Sequence, residues 1–215
     1  EDTLSLHDAL PISHDRPMRA FYHFLAQAPV TPIIHHDNVY LRVDATYFKR
    51  FCVVCYQDDL LSYTQLFRFS DAERYEEIKE DLVNLLKLGL QIDSITTDGH
   101  KATLKAIKKV MPEVLVQRCL VHIQRMCLLW LTANPTYDAG KELRSLAGYI
   151  HLIKTHNDKQ HFINQLKQWE LTHKKFLSEK SYKIETGRYW YKHKFIRRAF
   201  LTIKRALPNM FWYLD

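Results

Sequence analysis

Two aspartates lie in apolar segments of the sequence, where a bare carboxylate is costly. Asp44 is inside the β-type stretch LRVDATYF (residues 41–48), and Asp98 follows the stretch IDSITT (residues 92–97), immediately before Gly99. A charge in such a segment is expensive to bury unless it is paired or bound to a metal ion. Two neighbouring carboxylates would repel each other unless a cation lay between them, and hard oxygen ligands suit Mg²⁺ or Mn²⁺. The pair is therefore a candidate site for two-metal phosphoryl transfer.

A purely structural interpretation of the same aspartates stays open at this point. Asp44 would be a surface residue of an edge strand, and Asp98 would be a helix cap that accepts hydrogen bonds from free backbone N–H groups. The metal-binding interpretation requires the two strands to be neighbours, because open α/β sheets bind ligands at the carboxyl ends of their strands.

The sequence around the aspartates predicts the element order βββ-α-β-α-β-α. Short β-rich runs predict strands at 38–48, 50–57, 62–69, 92–97 and 113–119. Helical periodicity predicts helices at 71–90, 101–111 and about 121–133. The first three strands suggest an antiparallel meander, and the last two alternate with helices, which implies parallel crossover connections. The predicted fold class is α/β, with a mixed five-stranded sheet and flanking helices.

The second half of the chain is helical and basic in its pattern. Residues 135 to about 180 carry apolar residues at helical spacing and almost no strand signal. A final helix is predicted at about 186–206, and its basic residues are Arg188, Lys192, Lys194, Arg197, Arg198, Lys204 and Arg205. Their mixture with aromatic residues suits phosphate contacts on one face and core packing on the other. Alternatively, these basic residues form a face of the helix that contacts only solvent and binds no phosphate.

The charge distribution points to the same half as a surface for a polyanion. The chain has a net charge of +7, yet residues 1–100 carry 9 basic against 16 acidic residues, whereas residues 101–215 carry 22 against 8. Such asymmetry is typical of a protein that binds nucleic acid through its basic part. No apolar run approaches the roughly 20 residues that span a bilayer.

The four cysteines of the chain are expected to be reduced thiols. Cys52 and Cys55 form a C-x-x-C motif, and with Cys119 and His122 they could form a zinc site. Positions i and i+3 of a strand point to opposite faces, so buried core thiols are the favoured interpretation and no zinc is expected. We expect Cys119 and His122 beside the carboxylates, with His122 as a hydrogen-bond donor or phosphate contact; packing of His122 on the sheet is the alternative.

Three segments in order resemble the motifs of the Mutator-type insertion-sequence transposases, a branch of the RNase H-like DDE superfamily. They are DATYFKR with Asp44, TTDGHKA with Asp98, and CLVHIQR with Cys119 and His122. The resemblance covers about residues 20–215. It implies an RNase H-like sheet with an all-helical insertion after strand five, Mg²⁺-dependent DNA strand cleavage and transfer at transposon ends, a homo-oligomer in the full-length protein, and a cytoplasmic, nucleoid-associated location. A structure-selective nuclease and a non-catalytic DNA-binding remnant are the alternative functions.

The resemblance also suggests a domain organisation. Residues 14–134 would form the incomplete catalytic core, 135–181 the helical insertion, and 182–215 a basic helix leading towards the family's catalytic Glu. That Glu follows a segment like NMFWYLD in the family, so we expect the third acid beyond Asp215 and little activity from this chain. Residues 1–13 contain TLSLHDALPI, which matches a translated sequencing adapter, and we expect an artefactual or disordered tail there.

Overall fold

The computed structural model describes residues 32–215, which form a mixed sheet followed by a group of helices. The sheet strands are β1 (Val39–Tyr47), β2 (Cys52–Asp58), β3 (Tyr63–Ser70), β4 (Ile92–Thr97) and β5 (Leu115–Arg118). Helix α1 (Tyr75–Lys87) precedes β4, α2 (Lys101–Val110) joins β4 to β5, and α3 (Leu120–Leu131) follows β5. This element order is the one that the sequence predicts. The predicted tail at 1–13 and the predicted start of the core at 14–31 lie outside the described residues.

The five strands form one sheet in the order β3-β2-β1-β4-β5. The pairs β1–β2 and β2–β3 are antiparallel, and the pairs β1–β4 and β4–β5 are parallel. Strand β1 is therefore central, with the meander on one side and the crossover strands on the other. The arrangement is RNase H-like, and the predicted fold class is confirmed.

Alternation along β1 separates the two faces of the sheet. Val39, Leu41 and Val43 are buried, whereas Tyr40 and Arg42 between them are exposed. The buried side packs against the apolar faces of α1 and α2, which contribute Ile78, Leu82, Leu85, Ala106 and Ile107 to one core cluster. Because side chains alternate along a strand, Asp44 lies on the opposite face of the sheet from this core.

The helices after β5 build a second core. They are α4 (Asp138–Tyr149), α5 (His156–Ser178) and α6 (Lys194–Ala206), and α5 begins with a capping box between Thr155 and Asp158. Their cluster includes Leu143, Phe162, Trp169, Phe200 and Ile203, together with Ile123 and Cys127 of α3. Helix α3 therefore joins the sheet to the helical region. In the described residues no helix is both long and apolar enough to span a membrane.

The predicted final helix at about 186–206 is wrong in its first third. A two-stranded hairpin, β6 (Lys180–Tyr182) and β7 (Tyr189–Tyr191), precedes α6. Gly187 has a φ of 63° in the turn, a conformation that favours glycine, and three consecutive aromatic residues favour a strand. Arg188 and Lys192 consequently flank β7, and α6 carries the other five predicted basic residues.

Candidate functional site

The register of β1 and β4 brings the two predicted aspartates to adjacent positions. These strands are parallel, and Val43 is paired with Thr97. Asp44 follows Val43 and Asp98 follows Thr97, so each aspartate lies one residue further along its own chain. Val43 and Thr97 are both buried on the core face, and alternation directs Asp44 to the other face. The site therefore lies where the parallel pairing of β1 and β4 ends, since β4 ends at Thr97 while β1 continues to Tyr47. Open α/β sheets bind ligands at this end of their parallel strands.

The carboxylate of Asp44 is partly open to solvent, with 42% of its side chain exposed. Its Oδ1 accepts a hydrogen bond of 3.0 Å from the backbone N–H of Ala45 and lies 3.9 Å from Nε2 of His122. Across the antiparallel pair it faces Cys55, and burial together with the charge of Asp44 raises the pKa of that thiol. Asp44 is thus not buried in an ion pair, which leaves its carboxylate accessible to a cation.

Asp98 lies in the turn between β4 and α2. Its Oδ1 accepts a hydrogen bond of 2.7 Å from the backbone N–H of His100, and the hydroxyl of Thr97 donates to the same oxygen at 3.4 Å. His100 is the N-cap residue of α2, and its side chain makes no capping hydrogen bond. The bond from the His100 N–H is of the kind that the structural interpretation of Asp98 expects, so that alternative stays open. One oxygen of the carboxylate fixes the turn. The described part of the chain donates no hydrogen bond to the other oxygen, Oδ2.

A guanidinium that lies outside the three sequence motifs packs against this turn. Arg118 Nη2 donates a hydrogen bond of 2.7 Å to the carbonyl oxygen of Asp98. Gly99 has a φ of 85°, and a Cβ at this position would lie 1.9 Å from Cζ of Arg118. Burial lowers the pKa of Arg118, while the charges of Asp98 and Cys119 act in the opposite direction. Because Gly99 has no side chain, the guanidinium of Arg118 can lie beside Asp98.

Cys119 and His122 lie at the start of α3, beside the aspartates. Cys119 is the N-cap residue of α3, and its backbone N–H donates to the carbonyl oxygen of Thr97 at 2.8 Å. The imidazole of His122 has Nδ1 3.3 Å from Sγ of Cys119 and Nε2 on the side of Asp44. The three-residue spacing on a helix accounts for the contact between the two side chains. The structure therefore brings this motif next to Asp44.

The described residues do not assemble the zinc site considered from the sequence. Cys52 is fully buried, and Cys55 lies on the opposite face of β2. Within residues 32–215 no three His, Cys, Asp or Glu side chains are grouped so that they could hold a metal ion. Asp44 and Asp98 would therefore act as a pair of hard oxygen donors, with the rest of the shell supplied from elsewhere, as suits a hydrated Mg²⁺ or Mn²⁺.

The basic residues of the second half have different environments. Lys204 pairs with Glu170, and Lys192 lies 3.5 Å from Glu179. Three others lie over aromatic rings: Arg197 is 4.0 Å from the ring centre of Tyr191, Arg198 is 4.7 Å from that of Trp130, and Lys194 is 4.9 Å from that of Phe195. The opposite, apolar side of α6 is packed in the helical core. The predicted division of this helix into a basic and a packed face is present.

The structure defines an RNase H-like sheet with two aspartates at adjacent positions, each next to the last parallel pair of β1 and β4. The family model of the Mutator family of transposases matches residues 65–181, more than half of the chain. The chain belongs to the Mutator family of transposases. The matched region contains Asp98, Cys119 and His122. The search of curated proteins found no match to this chain.

Proposed function

We propose that this chain is the catalytic region of a DNA transposase, and that Asp44 and Asp98 together hold a divalent metal ion, Mg²⁺ or Mn²⁺. The observation that carries the proposal is the parallel register in which Val43 is paired with Thr97, because it makes the two aspartates neighbours. Family membership supports DNA as the substrate. A metal ion bound there would stabilise the attacking and leaving oxygens of a phosphoryl transfer.

The side chains around the carboxylates support different roles in this proposal. Asp44 is open to solvent and can bind a cation, whereas Asp98 is oriented by the N–H of His100. His122, between Cys119 and Asp44, is placed to hydrogen-bond either Asp44 or a phosphate oxygen. Arg118 holds the carbonyl of Asp98 and so keeps the turn in place.

Two carboxylates leave a hard cation most of its waters, so weak metal binding is expected. By its resemblance to the family, the reaction also needs a third acid, a Glu, beside these two aspartates. By the same resemblance, we expect the full-length protein to act as a homo-oligomer on DNA of the nucleoid.

The DNA surface in this proposal is the basic side of α6 with the flanks of the β6–β7 hairpin. Each phosphate that a cation neutralises should change the logarithm of the affinity by about 0.9 per logarithmic unit of salt. Charge reversal at Arg197 and Arg198 should therefore weaken binding of a labelled duplex and lower the salt slope by about 2.

The matched control reverses Lys79 and Lys87 of α1, which changes the net charge by the same amount on the core-packed side of the sheet. Equal losses in both variants would mean that total charge, and not this surface, determines binding.

Absence of DNA binding at low salt would overturn the proposed partner. Products that are cut but never joined by the full-length protein would favour the nuclease alternative. DNA affinity without any metal-dependent cutting would favour the non-catalytic one.

A further inference from the structure

The β6–β7 hairpin displays large apolar side chains that the helical core does not cover. Tyr182 is 62% exposed, Tyr189 51% and Trp190 52%, and Ile184 in the turn is fully exposed. None of these four belongs to a core cluster of the described residues. A two-stranded hairpin gains little stability by itself. Rings on such a hairpin therefore suggest a binding surface.

The register of the hairpin distributes these rings over both of its faces. Tyr182 is paired with Tyr189, and their ring centres are 6.0 Å apart. Trp190 is paired with Ser181 and so lies on the other face, because side chains alternate along a strand. Trp190 makes no ring or cation contact within the described part of the chain. Flat aromatic surface is therefore available on each side of the hairpin.

Cations surround the rings. Lys180 Nζ lies 3.9 Å from the ring centre of Tyr189, and the guanidinium of Arg197 covers Tyr191. The remaining basic residues of the hairpin and its flanks are Lys183, Arg188 and Lys192. Lys183 and Lys192 pair with Glu185 and Glu179, whereas Arg188 forms no ion pair with any described residue.

Aromatic rings beside unpaired cations are complementary to a partner that combines flat apolar faces with negative charge. Unpaired nucleotides have both properties, since each base has a π-face and each phosphate a charge. Bases inside a duplex are already stacked on each other, and their faces are not accessible to a side chain. An apolar protein surface would not complement the cations.

We propose that the β6–β7 hairpin is a stacking surface for unpaired bases of a DNA strand. Trp190 provides the ring on one face, and Tyr182 and Tyr189 provide those on the other. Arg188 contacts the adjacent phosphates. This inference rests on the proposed function in one respect, which is that DNA is the partner.

The test compares binding of three labelled ligands by fluorescence anisotropy: a mixed-sequence single strand, an abasic strand of the same length, and the corresponding duplex. The abasic strand keeps the phosphates and lacks the bases. The wild-type chain should bind the base-bearing strand at least about fivefold more tightly than the abasic one, since stacking on one ring is worth that much or more. Trp190→Ala should remove most of this preference and leave the abasic affinity unchanged, whereas Trp190→Phe should retain it.

Leu171→Ala serves as the matched control, because Leu171 is an exposed apolar residue of α5. Circular dichroism would establish that every variant is folded. Equal affinity of the wild-type chain for the base-bearing and abasic strands would overturn the stacking inference and leave the DNA proposal intact. A preference that survives Trp190→Ala and the double variant Tyr182→Ala/Tyr189→Ala would also overturn it. Binding of none of the three ligands would overturn both proposals.

Discussion

Replacing Gly99 with alanine should displace Arg118 from its place beside Asp98. A Cβ on Gly99 would lie 1.9 Å from Cζ and 2.2 Å from Nε of Arg118. Non-bonded heavy atoms do not approach so closely, so the guanidinium must move, and we expect its hydrogen bond to the carbonyl of Asp98 to be lost. The φ of 85° at this position adds strain for any residue that has a side chain.

The expected cost of Gly99→Ala follows from these two effects. The positive φ costs about 1–2 kcal/mol for a residue with a Cβ, and loss of a hydrogen bond from a charged group costs about 1.5–3 kcal/mol. Solvent near the partly exposed Arg118 reduces the second figure. We therefore expect the free energy of unfolding to fall by about 2–4 kcal/mol.

The assay is urea unfolding of wild type, Gly99→Ala, Arg118→Ala and the double variant. When Arg118 is already truncated, the added Cβ meets no guanidinium, and only the strain of about 1–2 kcal/mol remains. The two changes should therefore be non-additive by about 1 kcal/mol or more. Gly148→Ala is the control, since a Cβ there meets no atom within 4 Å. Additive effects at Gly99 and Arg118, or an undisturbed Gly99→Ala protein, would refute the reasoning.

Two further predictions concern buried carboxylates at the other side of the sheet. The hydrogen bond to Asp58 raises the pKa of His36 above 6.5, so the stability it contributes is complete below about pH 6.5 and is lost as the pH rises through the raised value. His36→Gln should thus flatten the loss of thermal stability as the pH rises above about 6.5, and an unchanged pH profile would contradict this. Asp81 accepts hydrogen bonds of 2.9 Å from the hydroxyl of Tyr56 and from Nε of Arg68. Asp81→Asn should lower the free energy of unfolding in urea by about 1.5–3 kcal/mol, and a loss below that of Tyr56→Phe would contradict the assigned role.

The sheet was predictable because its signals are local. Alternation marks β1, and helical periodicity marks α1 and α2, so the element order follows from sequence periods of two and 3.6. The adjacent positions of Asp44 and Asp98 were predictable for a related reason, whereas their role as metal ligands stays a prediction. Asp44 places a charge inside an apolar strand, and Asp98 places another directly after the strand that ends at Thr97. Such charges are costly to bury, so both side chains are expected where solvent or a ligand can reach them.

The hairpin and the guanidinium were harder to predict for physical reasons. Tyr189, Trp190 and Tyr191 beside basic residues fit an amphipathic helix as well as a strand, and only the turn at Gly187 distinguishes them. The contact between Arg118 and Gly99 joins residues on different elements, β5 and the loop after β4. No spacing along the sequence reveals such a contact, since it depends on how the strands pack.

The most direct test of the metal-site proposal is binding of Mn²⁺ measured by electron paramagnetic resonance. Wild type should bind the ion, and Asp44→Asn or Asp98→Asn should each weaken the affinity by about tenfold or more. Asp93→Asn is the matched control, because Asp93 is an exposed aspartate of the same strand β4 and should leave the affinity unchanged. Wild-type Mn²⁺ affinity in either the Asp44 or the Asp98 variant would contradict the claim that these two carboxylates share a metal ion.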